Sequence, residues 1–262
     1  MNFCSKKKIL KQCFFEFLGT GLIIFLGISS LVVSKLTNFH FNHCEISCIW
    51  GLGVFISICF CSSVSGAHLN PAITIFLFLS SQFNKKKVIP YILSQISGTF
   101  FFTFLIYLIF NNLLNSFESK YNIVRGTKKS LELASLFCVF PKENYNFIHD
   151  FILEILIGII FIIILMKLSE KNNLFKFYKF INPFLIGTLV IIINLFLTSY
   201  SNITLNPARD LGPRIFLSLI GWGKLAFTGD DNIIFPYFLI PTIAPIIGIN
   251  LGGWIYILYI KK

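Results

Sequence analysis

Two stretches of the chain, "SGAHLNPAITIFLF" and "ITLNPARDLGPRIF", carry the same triplet, as Asn70-Pro71-Ala72 and Asn206-Pro207-Ala208. Asn is among the best helix N-caps, because its side-chain oxygen accepts an orphan N–H of the first turn. Pro suits the first helical position, where its missing N–H costs nothing. Each triplet therefore starts a helix with an amide at its positive end. The chemistry available there is hydrogen-bond donation and an electrostatic field, not bond making. Two acids, Glu16 in "FFEFLGTG" and Glu154 in "FILEILIG", lie inside apolar runs. The sequence has no catalytic triad, no glycine-rich phosphate loop and no paired catalytic carboxylates. An enzyme is not expected, and no cofactor is implied. The seven cysteines lie mostly in or beside apolar runs without metal-site spacing, so they read as small buried side chains and no metal is expected.

The surroundings of these residues follow from composition. The chain has 262 residues, of which 55% are hydrophobic and 13% charged, with a mean hydropathy of +0.79. Soluble domains carry roughly 25% charged residues. A bilayer span needs about 20 predominantly apolar residues. Six blocks meet that need, over about 9–33, 43–62, 87–110, 147–168, 179–198 and 233–258. The segments at about 70–80 and 206–219 are apolar but too short to cross, which makes them candidate re-entrant half-helices. The predicted fold class is therefore an all-α membrane protein with six transmembrane helices and two re-entrant half-helices. The first block is too long for a cleaved signal peptide and reads as a retained span.

Charge placement gives the topology. Thirteen of the 22 Lys and Arg residues fall at the N-terminus, at Lys85–Lys87, in the 167–179 connector and at the C-terminus. Six crossings put all of these on one side, and the positive-inside rule makes that side cytoplasmic, with both termini there. The net charge of +11 accompanies abundant Phe, Lys, Asn and Ile, all encoded by AT-rich codons, and carries no nucleic-acid signal.

The halves repeat. Asn206 follows Asn70 by 136 residues, and Glu154 follows Glu16 by 138. The chain reads as one domain over 1–262, with repeat one at about 1–115, an external loop at about 115–146 and repeat two at about 147–262. Three spans per repeat is an odd number, so the second copy is inverted. Inverted repeats with broken helices mark a permeation site at the midplane. Glu16 and Glu154 are read as bracing irregular loops by accepting backbone N–H groups, with a proton relay as the alternative. The half-helix ends, each worth about half an elementary charge, would meet and repel cations and protons.

With these motifs in view the chain resembles the aquaporin superfamily, and within it the glycerol facilitators of bacteria. The similarity runs over nearly the whole length, through "EFLGTGLIIFLG", "WGLGV", "SGAHLNPAITI", "KKVIPYILSQISG", "IVRG", "LNPARDLGPRIF", "GWG", "AFTG" and "PYFLIP". The resemblance implies a homotetramer with one pore per subunit in a bacterial inner membrane. It also implies passive flow of glycerol or other small polyols and water, without a cofactor. It assigns a selectivity filter to Trp50, Asn194, Ile203 and Arg209, with Asp210 in support as in the glycerol branch. It assigns pore-facing backbone carbonyls to Gly66, Ala67, His68, Leu69, Thr204 and Leu205. Trp50 as an interfacial belt residue, Arg209 as a salt bridge to Asp210, and His68 as a titrating gate are the alternatives for those positions. Two departures stand out. Ile203 falls where glycerol facilitators carry Phe, and Asn194 where they carry Gly and water channels carry His.

The leading expectation is a channel for glycerol and similar neutral solutes that excludes ions and protons. The runner-up is a mainly water-selective channel, which Asn194 brings forward. An ion channel or secondary transporter is disfavoured because Glu16, Glu154 and Arg209 are the only charges expected at depth. An adhesive membrane protein is disfavoured by short tails. The external connector is expected to be a solvated loop folding over the pore mouth.

Overall fold

The computed structural model describes residues 3–141, 146–170, 180–197, 203–229 and 235–261. The connector residues 171–179, residues 142–145 of the expected external loop, residue 198 of the expected fifth span and residues 233–234 of the expected sixth lie outside the described residues.

Among the described residues ten α-helices follow in order: α1 Phe3–Leu36, α2 His43–Cys61, α3 Pro71–Leu79, α4 Lys85–Tyr121, α5 Leu131–Ala134, α6 Phe147–Leu168, α7 Ile181–Leu197, α8 Pro207–Leu217, α9 Leu225–Thr228 and α10 Leu239–Ile255. Among the described residues five helical segments are long and apolar enough to cross a membrane, and α7 is apolar over its 17 residues. The long helices are apolar on most sides, as a helix between core and lipid must be. Leu52, Ile56 and Phe60 of α2 are exposed, while Trp50, Gly51, Ser57 and Cys61 are buried.

The packing follows the repeat. In the first half α1 lies against α4, and in the second half α6 lies against α10. The half-helices cross over, with α3 against α10 and α8 against α4, while α2 pairs with α7 across the halves. Missing side chains permit the closest approaches. A Cβ on Gly98 of α4 would lie 2.2 Å from the Phe17 carbonyl oxygen of α1. A Cβ on Gly248 of α10 would lie 2.4 Å from the Ile155 carbonyl oxygen of α6. On the α2–α7 seam, a Cβ on Gly51 would lie 2.6 Å from the Gly187 oxygen. Packing between membrane helices runs on contact rather than on water exclusion, so small residues collect at such seams.

Helix α1 extends past both ends of the expected 9–33 block, and two further boundaries differ more consequentially from the sequence reading. The third span continues as helix to Tyr121 and ends at Asn122 in the left-handed region, φ +49°. At about 1.5 Å per residue, α4 outreaches the roughly 30 Å apolar layer, so its polar C-terminal end stands clear of it. That end is strapped by Arg125, whose Nε donates to Glu118 at 2.7 Å and whose Nη1 donates to the Ile220 carbonyl at 3.0 Å. The connector beyond it is not a solvated loop, because Ile123, Leu133, Ala134, Phe137 and Cys138 are buried in the core. The sixth span starts at Leu239, not 233. Before it, the N–H groups of Tyr237 and Phe238 donate to the Thr228 and Phe227 carbonyls at 3.2 Å each, holding a turn where the apolar pattern suggested helix.

The glycine seams predict a contrast. Gly98→Ala places a methyl on backbone that cannot retreat, and overpacking of this kind costs about 1–3 kcal/mol. Gly53→Ala, whose new Cβ meets nothing nearer than 3.5 Å, is expected to be neutral or slightly stabilising, as Ala is in a helix. Thermal denaturation of the two purified variants in detergent checks this.

Candidate functional site

The half-helices are built as their first residues dictate. Asn70 caps α3, its Oδ1 accepting from the Ala72 N–H at 2.9 Å. Asn206 caps α8, its Oδ1 accepting from the Ala208 N–H at 3.1 Å and the Arg209 N–H at 3.4 Å. Pro71 and Pro207 occupy the first helical positions. With each Oδ1 committed to its own helix, each Nδ2 turns to the other half. Asn70 Nδ2 donates to the Leu205 carbonyl at 2.8 Å, and Asn206 Nδ2 donates to the Leu69 carbonyl at 2.7 Å. An amide nitrogen carries two hydrogens, so one remains on each Asn beyond this exchange.

The loops that lead into the half-helices are strained. Ala67 and Leu69 have φ of +50°, and Leu205 has φ of +56°. A non-glycine residue there costs about 1–3 kcal/mol and persists only where its surroundings over-determine it. The two buried acids supply that. Glu16 accepts from the His68 N–H at 3.0 Å and from the Leu69 N–H at 2.7 Å. Glu154 accepts from the Thr204 N–H at 3.0 Å and the Leu205 N–H at 2.6 Å. Gln95 of α4 adds a donor to Glu16 at 2.7 Å and reaches the Thr74 hydroxyl at 3.1 Å. The His68 ring meets that same hydroxyl at 3.1 Å and packs on Phe83 and Tyr91.

One cavity of about 1440 Å³ passes through these elements. Trp50, Asn194, Ile203 and Arg209 line it, as do Asn70, Asn206, the 66–69 loop, Thr204 and Leu205. Pro71, Ala72, Pro207, Ala208, Glu16, Glu154 and Asp210 are not among the lining residues. The Leu69 and Leu205 carbonyls each spend one lone pair on the opposite Asn.

Arg209 and Trp50 meet on the cavity wall. The guanidinium carbon lies 4.7 Å from the Trp50 ring centroid, and Nη1 donates to the Phe137 carbonyl at 3.4 Å. Trp50 is seated by Gly27, where a Cβ would fall 2.3 Å from the indole. The Arg209–Asp210 salt bridge is not formed. Asp210 pairs instead with Arg214, one turn on, and accepts from the Val139 N–H at 2.8 Å. Arg214 is fully buried and also donates to the Val139 and Ala226 carbonyls. Glu16, Glu154 and Arg209 are therefore not the only charges at depth. The i,i+4 Asp-Arg spacing in "RDLGPR" was the signal for this pair. A polar amide within an apolar span was the signal for Gln95.

The mouths differ. At one, Ser135, Cys138, Val139 and Phe140 of the connector join His43. At the other lie Lys167, Glu170 and Lys261. There Lys167 donates to Glu170 at 2.8 Å, and with the Tyr256 hydroxyl it holds the carboxyl below the usual carboxylate range.

This arrangement can bind and pass a neutral, hydroxyl-bearing solute. Hydrogen-bond donors and carbonyls run along an otherwise apolar wall, with a fixed cation beside Trp50. Comparison with known proteins agrees in kind. The family described as Major intrinsic protein matches residues 3–256. The glycerol uptake facilitator protein of Buchnera aphidicola subsp. Acyrthosiphon pisum is 57% identical over 258 residues, covering 98% of this chain and 97% of that protein. The glycerol uptake facilitator protein of Escherichia coli K12 is 42% identical, covering 96% and 89%. The propanediol uptake facilitator PduF of Salmonella typhimurium is 39% identical, covering 96% and 94%. The X-ray structure of the aquaglyceroporin from Plasmodium falciparum superposes with a TM-score of 0.83 at 26% identity, covering 97% of each chain.

Glu154→Ala strands the Thr204 and Leu205 N–H groups, at about 1–3 kcal/mol for each buried donor. It should lower the melting temperature and abolish solute flux. Glu154→Gln keeps an acceptor and should keep most of both; full stability with lost flux would favour the proton relay. Asp210→Ala leaves the Arg214 guanidinium buried alone and should cost about 3–5 kcal/mol, read by the same thermal denaturation.

Proposed function

The chain belongs to the major intrinsic protein family, and from that premise we propose that it is a passive channel for glycerol and related small polyols, with some water, that holds back ions and protons. It is a transport protein and not an enzyme. The observation that carries the solute assignment is the Arg209–Trp50 pair on the wall of a continuous cavity. A polyol has a carbon side and a hydroxyl side. Trp50 offers the carbon side a flat apolar wall, and the Arg209 guanidinium offers hydroxyl oxygens donors in a fixed plane. Ile203 extends the apolar wall without an aromatic face. The relatives reported above are named for glycerol and propanediol uptake, which weighs for polyols over the water-selective reading that Asn194 suggested.

Further in, Asn70 and Asn206 each present a remaining amide hydrogen to a passing oxygen. The carbonyls of the 66–69 loop, Thr204 and Leu205 accept in turn. A neutral solute exchanges its water for these groups one at a time. Cations meet Arg209 and then the positive ends of two half-helices. Protons lose a continuous water wire, because each Asn amide donates to the oxygen it orients.

The protein sits in a bacterial inner membrane with both termini in the cytoplasm. It forms a homotetramer with one passage per subunit, and its partners are the bilayer, water and its solute. Charge bias supports the orientation, and exposed apolar residues such as Leu52, Ile56 and Phe60 support a lipid or subunit surface. The His43 mouth then faces outward and the Lys167–Glu170 mouth inward.

Stopped-flow light scattering on proteoliposomes tests the assignment. Glycerol entry well above that of protein-free vesicles is expected, and fast water flux with background glycerol entry would restore the water-selective reading. Arg209→Ala removes a charged donor whose hydrogen bonds are worth about 1.5–3 kcal/mol each. Solute discrimination should fall about tenfold, and cation leak should rise in conductance recordings.

A further inference from the structure

The sequence reading of the cysteines as buried side chains holds for Cys13, Cys61 and Cys138 but not for Cys44 and Cys48. These two are exposed, four residues apart on α2. They open a line at helical spacing that continues through Leu52, Ile56 and Phe60, all exposed. The line starts at the polar end of the helix, where the cap Asn42 and Glu45 are exposed as well. Cys44 follows the first helical residue, and Cys48 stands about 6 Å further along the axis. Both thiols therefore lie near the end of α2 that meets water. Their side chains interact directly, and the Glu45 carboxylate is close enough to act on Cys48. His43 and Ser47, the residues just before each thiol, line the cavity, whereas the thiols do not. The pair stands beside the passage, on another face of the helix.

Spacing decides what two such thiols can do. Residues four apart on a helix have Cβ atoms about 5–6 Å apart. A disulfide needs about 3.5–4.5 Å between Cβ atoms, so a direct sulfur–sulfur bond here would distort the helix. A cation between the sulfurs relaxes that demand. Two metal–sulfur bonds of about 2.3 Å, the length thiolates make to zinc, hold the sulfurs about 4.6 Å apart in a line, a gap the undistorted helix offers. Zinc itself calls for four ligands. Among the described residues no group of three His, Cys, Asp or Glu side chains is placed to hold a metal. Copper(I) is soft, favours thiolate and is satisfied by two ligands.

We propose that Cys44 and Cys48 form a two-coordinate dithiolate site for a soft monovalent cation of the copper(I) class, beside the His43 mouth. On binding, each thiol gives its proton to water and two metal–sulfur bonds form. The bridged group carries one negative charge, and nothing is oxidised or reduced. The inference stands apart from the polyol assignment, because it needs only the helix that carries the two thiols.

The test titrates copper(I), kept reduced without oxygen and buffered by a colorimetric copper(I) chelator, into the purified full chain in detergent. The parent is compared with Cys44→Ser, Cys48→Ser and the double variant. Both positions are exposed, so the metal-free melting temperatures should match the parent's; Cys44→Ala or Cys48→Ala replaces a serine variant that is not recovered folded. The parent should take up one tight equivalent more than the double variant. Each single variant should bind that equivalent about 10²–10⁴-fold more weakly, the scale gained by carrying two ligands on one scaffold. A parent that binds no more tightly than the double variant overturns the proposal and assigns any uptake to the other cysteines. Weakening in only one single variant overturns it too, because the metal then sits on one thiol. Thiols are counted before the titration, with and without prior reduction. Two thiols that appear in the parent only after reduction, and never in the double variant, reveal a direct disulfide and overturn the argument from spacing.

Discussion

Backbone that leaves a helix at membrane depth must find hydrogen-bond partners within the protein, and the two loops before α3 and α8 meet that demand in a way that organises everything else. Their N–H groups go to Glu16 and Glu154, and one carbonyl of each goes to the Asn that caps the opposite half-helix. Neither half satisfies itself. The Leu69 and Leu205 backbones hold left-handed conformations, held by the acid of their own half and by the Asn of the other. For the carboxylates to arrive, α1 and α6 must lie against their partners closely enough to bring an acid under each loop. The glycine contacts at Gly98 and Gly248 provide that closeness in both halves. The cavity is what remains between two loops that have used their polar groups on each other and left a few facing inward.

The outer end obeys a different rule. A buried ion pair is costly to desolvate and is poor evidence for stability. Asp210 and Arg214 nonetheless sit fully buried. The pair also takes the Val139 N–H and the Val139 and Ala226 carbonyls, so it nails the connector to α8. That places the Phe137 carbonyl on Arg209. Arg209 is held by the connector on one side and packs over the Trp50 ring on the cavity wall. The ion pair thus serves geometry: it fixes where a third charged group can point.

The sequence by itself determined the solvent, the crossings, the repeat and most of the cavity wall. Long apolar runs, a repeated cap-and-proline triplet and paired acids are local patterns, and the physics behind each acts within a few residues. For the same reason α3 and α8 were legible to within a residue at their starts. Tertiary structure decided what depends on separation across the chain. Asp210 and Arg214 close on the connector rather than on solvent, because the Val139 N–H and the Val139 and Ala226 carbonyls are brought to them from other parts of the chain. The connector is core rather than loop, because apolar Leu133 and Phe137 find a surface that no window of sequence contains. His43 reaches Asn194 across 151 residues, a pairing that exists only because glycine lets α2 and α7 touch.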